Sequence, residues 1–266
     1  MKKLIINLVK LKELGAIAVK QSLEDEGASF EDIERMRNIT LAANLNLNVK
    51  IGGCEAKNDI FFCKKIGVDG IVAPMVESQY ALNKFIQVVE NNKKNSLYIN
   101  LESKLAFDNI NEIMNSHNFR LLRGVVIGRS DLAGSLGLTK NYVDSEQIYK
   151  KVFGVLKKIQ KIKKKRLICK MGGSITYKSR NFINKLFEKK LLHRIETRNI
   201  EILLSKKNIA NLNTILIHAF NFELEWIKYK SKNLKLKRSK TILNDYFSRI
   251  KEIKKRIKIM GKKLND

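Results

Sequence analysis

The sequence predicts an α/β protein of the (β/α)8 TIM-barrel type, followed by a C-terminal helical extension. Three observations carry the prediction. Short apolar runs alternate with segments of helical periodicity along most of the chain, the pattern of strands joined by crossover helices. Charged side chains close several of those runs, where the strands of a barrel open onto one mouth. The 266 residues and 44% apolar content suit one such barrel around a single large core.

The elements follow in order. Leu4 to Leu14 reads as an amphipathic helix, because Lys10, Lys12 and Glu13 interrupt an apolar beginning that is too short to span a bilayer and is followed by no small-residue cleavage site. Strand-like runs recur at Ala16 to Lys20, Leu47 to Ile51, Gly70 to Met75, Leu97 to Glu102, Val125 to Ile127, Leu167 to Lys170 and Ile195 to Leu203. Helical segments separate them at Phe30 to Asn44, Ala56 to Ile66, Ser78 to Glu90, Asn109 to His117, Ser145 to Lys164 and Ser179 to Lys189. Ser29 followed by Asp32 is a capping-box start, and Gly67 after Ile66 is a left-handed stop. The alternation predicts parallel strands. Seven strands are legible where a barrel needs eight, so the first strand is expected to be missing or atypical, the alternative being that Ile5 to Val9 is itself a strand.

Beyond Ser205 the pattern changes. A long helix is read over Asn208 to Ile227, then a basic stretch from Lys228 to Lys240, then a stripe of Leu243, Tyr246, Ile250, Ile253, Ile257, Met260 and Leu264 at alternating spacings of three and four. The chain is therefore divided into a barrel over residues 1–205 and a basic helical extension over 206–266. The extension either packs on the barrel or mediates homo-oligomer formation.

The net charge of +27 is concentrated late: from Lys150 onward there are 34 Lys/Arg against 8 Asp/Glu. Such a half attracts anions. It leaves nucleic-acid or membrane contact open, although a solvated basic surface is the simpler reading of a chain rich in Lys throughout. Cys54, Cys63 and Cys169 are too few and too scattered for a disulfide framework or a zinc site, so a reducing cytoplasm is the expected setting.

Read in order, the strand ends or the loops after them present Lys20, Lys50, Glu77, Glu102, Arg129 with Asp131, Lys170 and Arg198. If they share one mouth, Glu102 and Asp131 can chelate a single hard cation while the surrounding cations attract an anionic substrate. Pairing of some of these groups within the rim is the alternative at each position. Gly52-Gly53 and Gly172-Gly173 follow strand-ending lysines; they serve either the approach of backbone N–H groups to an anion or merely tight turns. His117, His193 and His218 are assigned structural places.

Several segments taken together resemble the HpcH/HpaI aldolase and citrate lyase β-chain family. These are Asn48-Val49-Lys50-Ile51-Gly52-Gly53, Gly67-Val68-Asp69-Gly70-Ile71-Val72-Ala73-Pro74-Met75-Val76-Glu77-Ser78, Leu101-Glu102-Ser103, and Val126-Ile127-Gly128-Arg129-Ser130-Asp131-Leu132 with Ser135-Leu136-Gly137 after it. The resemblance covers roughly Ala16 to Arg198. It implies Mg²⁺ or Mn²⁺ held by Glu102 and Asp131, a 2-oxo acid bound through its carboxylate and keto oxygens, and carbon–carbon bond cleavage or addition through an enolate. The substrate-binding segment it implies is Gly128, Arg129, Ser130 and Asp131, with backbone N–H groups around Ser130 and Asp131 on the carboxylate.

Two positions depart from the family pattern. Many members carry Arg where Lys50 stands, and a lysine faces the enolate oxygen as a point charge without the two-point hydrogen bond of a guanidinium. Aldolases of the family use a histidine near the end of the run Ala18-Val19-Lys20, where this chain reads Gln21-Ser22-Leu23-Glu24-Asp25-Glu26. Glu24, Glu26 or a metal-bound water is left for proton transfer. The expected function is a metal-dependent lyase of the class II aldolase type acting on a 2-oxo acid. The rivals are a lyase of acyl-CoA thioesters and a catalytically impaired barrel that serves as a binding or assembly module.

Overall fold

In a computed structural model, which describes residues 1–24, 27–89, 94–162, 167–233 and 240–262, eight strands close into one barrel in chain order. The elements are α1 (Lys2–Glu13), β1 (Ala16–Ser22), α2 (Phe30–Ala43), β2 (Asn46–Lys50), α3 (Lys57–Ile66), β3 (Gly70–Ala73), α4 (Gln79–Val89) and β4 (Ser96–Leu101). They continue with α5 (Lys104–Asp108), α6 (Ile110–Asn115), β5 (Gly124–Gly128), α7 (Arg129–Ser135), α8 (Glu146–Gln160), β6 (Ile168–Gly172), α9 (Arg180–Glu188), β7 (Arg194–Glu196) and β8 (Ile200–Leu203). The chain then folds as α10 (Lys206–Ala210), α11 (Leu212–Asn233) and α12 (Lys240–Lys262).

Local signals act where the sequence places them. Ser29 and Asp32 form a reciprocal capping box on α2, and Gly67 ends α3 at φ +68. Each helix then lays its apolar stripe on the barrel wall. Leu47, Val49, Ile71, Ile99, Val125, Ile127 and Met171 point outward into that layer and are fully buried, each such side chain contributing about 1.5–3 kcal/mol.

The eighth strand corrects the sequence reading twice. Ile5 to Val9 lies inside α1 and no strand is missing ahead of β1; the run Ile195 to Leu203 is instead a hairpin of two strands. Thr197 N donates to Ile200 O at 2.9 Å, and Ile200 N donates to Thr197 Oγ1 at 3.1 Å, which reverses the chain at Arg198 and Asn199. Consequently β8 runs antiparallel to both β7 and β1, while the remaining pairs are parallel. The physical cue is a change of parity: Ile195 packs outward at an odd position, whereas Ile200 and Ile202 do so at even ones, and one continuous strand cannot do both.

Inside the barrel, Val72, Tyr98 and Val126 form a small separate cluster with Ile168. Beside it lies a buried charge group. Glu201 accepts from Lys170 Nζ, Arg194 Nη1 and Asn48 Nδ2, each at 2.7 Å, and Lys170 Nζ stands 3.5 Å from the Tyr98 ring centroid. Lys170, expected at the mouth, is thus an interior residue with no exposure. Strand alternation explains it, since Lys170 shares the inner face with Gly172 but sits one layer deeper.

The C-terminal helices pack on the barrel. α11 lies against α1, α12 turns back along α11, and Trp226 Nε1 donates to Gln21 Oε1 at 3.2 Å near the end of β1. Tyr246, Ile253 and Met260 of the heptad stripe are buried within the chain itself, so the stripe does not offer them to another subunit. The Leu243 side chain, Leu264 and residues 234–239 of the basic stretch lie outside the described residues. No described helix is long and apolar enough to cross a membrane.

Candidate active site

Alternation along β4 sends Tyr98 and Asn100 inward and sets Glu102, the next residue of that parity, at the mouth. Glu102 is 2% exposed. Its Oε1 accepts from Met75 N at 3.1 Å and its Oε2 from Asn100 Nδ2 at 2.8 Å. Gly128 at the end of β5 makes room for it, because a Cβ there would stand 2.5 Å from Glu102 Oε2. Asp131 follows in the first turn of α7, exposed to the same cavity.

The two acids sense each other. Burial pushes the Glu102 carboxyl above its ordinary range and the Asp131 charge adds to that, while Lys50, the Asn100 amide and Met75 N–H oppose it without cancelling it. Lys50, the last residue of β2, has its Nζ 2.8 Å from Glu24 Oε2 and 3.9 Å from Glu102 Oε1. These groups surround a cavity of about 330 Å³ at the C-terminal ends of the strands.

The donor set suits a hard divalent ion. Glu102 and Asp131 face the same cavity, and Asn100 Oδ1, buried beside Glu102, has no hydrogen-bond partner. Among the described residues no three His, Cys, Asp or Glu side chains cluster. An ion here would rest on two acids and complete its shell with neutral oxygens, the habit of Mg²⁺ and Mn²⁺.

The segment Gly128 to Asp131 divides in its roles. Ser130 and Asp131 line the cavity, and Ser130 Oγ lies 3.0 Å from Ser174 Oγ of the β6–α9 loop. Gly173, at φ +82, matters because a Cβ there would come within 2.6 Å of the backbone nitrogens of Arg129 and Ser130; its absence lets the β6–α9 loop approach the start of α7 closely. The Arg129 side chain corrects the expectation placed on it. It is fully buried, donating to Gly172 O, Gly173 O, Val143 O, Ser179 Oγ and Asp144 Oδ1, the last at 2.5 Å. A guanidinium with that many fixed acceptors fastens the β6–α9 loop and leaves no group for a ligand.

The remaining candidates are sorted by position. Glu24 is exposed and paired with Lys50, and Glu26 lies outside the described residues. Lys20 lines the cavity with its Nζ 3.4 Å from Glu196 Oε1, whereas Glu77 accepts from Ser103 Oγ at 2.5 Å in the loop network. Gly52 N donates to Asp59 Oδ2 at 2.7 Å, which makes the first glycine pair a turn. No histidine lines the cavity: His117 pairs with Arg120, His193 Nδ1 accepts from Cys169 N, and His218 sits in α11. Burial raises the thiols of Cys54 to about 11 and of Cys63 and Cys169 to about 12, which removes them as nucleophiles at neutral pH.

Sequence reasoning missed Asn100, Glu196 and three residues of α12, Arg249, Glu252 and Arg256, all of which line the cavity. Asn100 was within reach of the period-two rule, two residues before Glu102. Nothing local marks the α12 residues, because a long-range fold brings them there.

The fold is a closed eight-stranded β/α barrel whose candidate site lies at the C-terminal ends of the strands, where barrels of this kind carry their chemistry. Residues 42–168 match the model of the HpcH/HpaI aldolase/citrate lyase family, a match that supports a lyase. Lys50, Glu102 and Asp131 all fall within the match. No curated protein matches the chain. Among solved structures, the HpcH/HpaI aldolase from Desulfitobacterium hafniense DCB-2 is similar at 12% identity over 74% of this chain and 82% of that one, with a TM-score of 0.59. An HpcH/HpaI aldolase/citrate lyase family protein from Burkholderia cenocepacia J2315 is similar at 12% identity over 73% and 82%, with a TM-score of 0.58. The citrate synthase SbnG is similar at 14% identity over 73% and 81%, with a TM-score of 0.59. At such identities the likeness is one of fold.

Proposed function

We propose that the protein is a divalent-metal-dependent carbon–carbon lyase of the class II aldolase type acting on a 2-oxo acid. The observation that carries this reading is the meeting of Glu102 and Asp131, from neighbouring strand ends, at one cavity beside the Lys50 ammonium. Mg²⁺ or Mn²⁺, when bound, would polarise the keto group of such an acid and favour its enolate form. Asn100 orients Glu102 through its Nδ2. Lys50 is the cation nearest to Glu102 and would meet negative charge developing on the keto oxygen. Ser130 and Asp131, which line the cavity, would meet the substrate carboxylate through their backbone amides. Glu24, hydrogen-bonded to Lys50, is the carboxylate in reach for moving a proton, with Glu26 the second candidate. Three free cysteines suit a reducing cytoplasm.

Calorimetric titration of Mn²⁺ into the wild type, Glu102→Gln and Asp131→Asn tests the ligand pair. Each substitution is expected to weaken the ion by about tenfold or more, the usual scale for losing a charged ligand. Undiminished affinity in both variants removes the assignment.

A second reading, a lyase of acyl-CoA thioesters, is favoured by the cations that line the cavity, among them Arg198 and Arg256. Thermal shifts with Mg²⁺ and either pyruvate or an acyl-CoA separate the two, since only the ligand class that binds raises the melting temperature.

A further inference from the structure

The positive charge of the second half is not spread evenly over the barrel wall. On α2 and α4 every cation has a carboxylate: Arg35 pairs with Asp32, Arg37 with Asp69 and Lys84 with Glu55. On α8 and α9 that matching fails. Lys150, Lys157, Lys158, Lys161, Lys185 and Lys189, on the two helices or at their C-terminal caps, are all exposed. None of the six is in an ion pair among the described residues.

The two helices present one surface. Tyr149 and Phe153 of α8 stack at 6.0 Å, and Phe182 of α9 meets Tyr149 edge-on at 5.2 Å. Lysines from both helices lie along this aromatic seam: Lys185 Nζ is 5.4 Å from the Tyr149 ring centroid, and Lys157 and Lys189 converge on Phe153 at 5.9 and 5.8 Å. Gln160 Nε2 donates to Lys190 O and closes the far end. The acids of the two helices stand aside. Glu146 is in the first turn of α8, and Glu188 accepts from Asn184 Nδ2 at 2.8 Å and lines the groove toward α10.

Ammonium groups gathered without a counter-charge repel one another, and the face of an aromatic ring offsets only part of that. A polyanion relieves it. The polyanion that fits is set by what else the surface shows. A membrane-binding face combines its cations with large apolar side chains that insert between lipids, whereas on α8 and α9 every large apolar side chain is buried or half-buried. What remains outside is charge, placed at i, i+7, i+8 and i+11 on one side of α8 over about 16 Å. A nucleic-acid duplex offers one phosphate charge per about 1.7 Å of axis, so several phosphates fall within that length.

We propose that the outer face of α8 and α9 is a nucleic-acid-binding surface that grips the phosphate backbone. The six lysines share no residue with those that line the cavity at the barrel mouth, so the surface stands or falls independently of the metal reading.

The test is fluorescence anisotropy of the full chain with a labelled duplex of about 20 base pairs across a salt series, in which the logarithm of the binding constant should fall against that of salt with a slope of about −3 to −5. Changing Lys150→Gln, Lys157→Gln, Lys158→Gln and Lys161→Gln together should weaken binding about tenfold or more and make the slope shallower by about 2 to 4. Glutamine and lysine have similar helix propensities, so α8 should persist. The same four positions changed to arginine should restore binding, and Lys185→Gln with Lys189→Gln, on the other helix, should show the loss in smaller measure. The control is Lys251→Gln, Lys254→Gln, Lys255→Gln and Lys258→Gln on α12, which removes equal charge from another exposed helix and should keep affinity within about threefold. Equal losses in the α8 and α12 variants would report net charge alone and overturn the surface. So would a wild type that leaves the duplex unbound at low salt, or one that binds poly-glutamate or phosphatidylserine vesicles more tightly than the duplex.

Discussion

At the residue scale, Glu102 carries the tension of the site. Its carboxyl titrates above the ordinary carboxylate range in the fold, mainly because it is buried, so the folded protein holds that proton more tightly than the unfolded chain does. The sign follows: the group's contribution to stability is whole below its unfolded value near 4.5 and is lost as pH rises through the raised value. In the metal-free protein the melting temperature of Glu102→Gln, which carries no charge to bury, should exceed that of the wild type at neutral pH, and the gap should close below about pH 4.5. Added Mn²⁺ should reverse the order by stabilising only the wild type. Melting curves across pH, with and without the ion, check both signs; a wild type more stable than the variant at neutral pH without metal would contradict the assignment of Glu102 as a strained buried acid. That Glu102 and Asp131 face one cavity was legible in the sequence because a strand end is a local property. Arg129 shared that address and misled, since which way its side chain turns depends on Asp144 and Ser179, far along the chain.

At the element scale, the end of β5 and the turn after β6 set the site by what they omit. Gly128 leaves the space that Glu102 fills, and Gly173 lets its loop pack against the amides of Arg129 and Ser130. Gly128→Ala would put a methyl within van der Waals overlap of Glu102 and force that side chain off its bonds to Asn100 and Met75. The expected result is a folded barrel, destabilised by about 1–3 kcal/mol as for other overpacked sites, with Mn²⁺ affinity reduced by about tenfold or more through the displaced ligand. Urea denaturation and calorimetry read the two effects, and unaltered ion binding would show that Gly128 does not seat Glu102. Strand count was the part of the fold read wrongly, and the cause is short range: a turn at Arg198 and Asn199 carries neither Gly nor Pro, so only the parity change between Ile195 and Ile200 betrays it. The α2 helix, behind its Ser29 cap, was placed to within a residue.

At the scale of the whole molecule, the C-terminal helices convert a barrel with an open end into one with a covered cavity, and a single buried carboxylate ties the cover down. Glu223 is 1% exposed and engages Arg249 of α12 and Arg198 of the β7–β8 hairpin together. Removing its charge by Glu223→Gln leaves the half-buried Arg249 with one carboxylate fewer, and breaking such a pair costs about 3–5 kcal/mol when fully buried and less where water reaches it. That loss falls mostly on α12, because the barrel wall has its own core and α12 meets the rest of the chain chiefly through α11. Local opening should therefore precede global unfolding. Lys251, Lys254, Lys255 and Lys258 stand exposed along α12, so trypsin offers a direct readout: the variant should be trimmed within α12 at protease levels that leave the wild type intact, while the barrel fragment persists. Raised salt should move the wild type in the same direction, but weakly, because a buried pair is screened far less than the exposed lysines around it. Equal trypsin resistance of the two proteins would mean that the apolar stripe alone holds α12, and that the ion pairs at the mouth are free to serve a ligand.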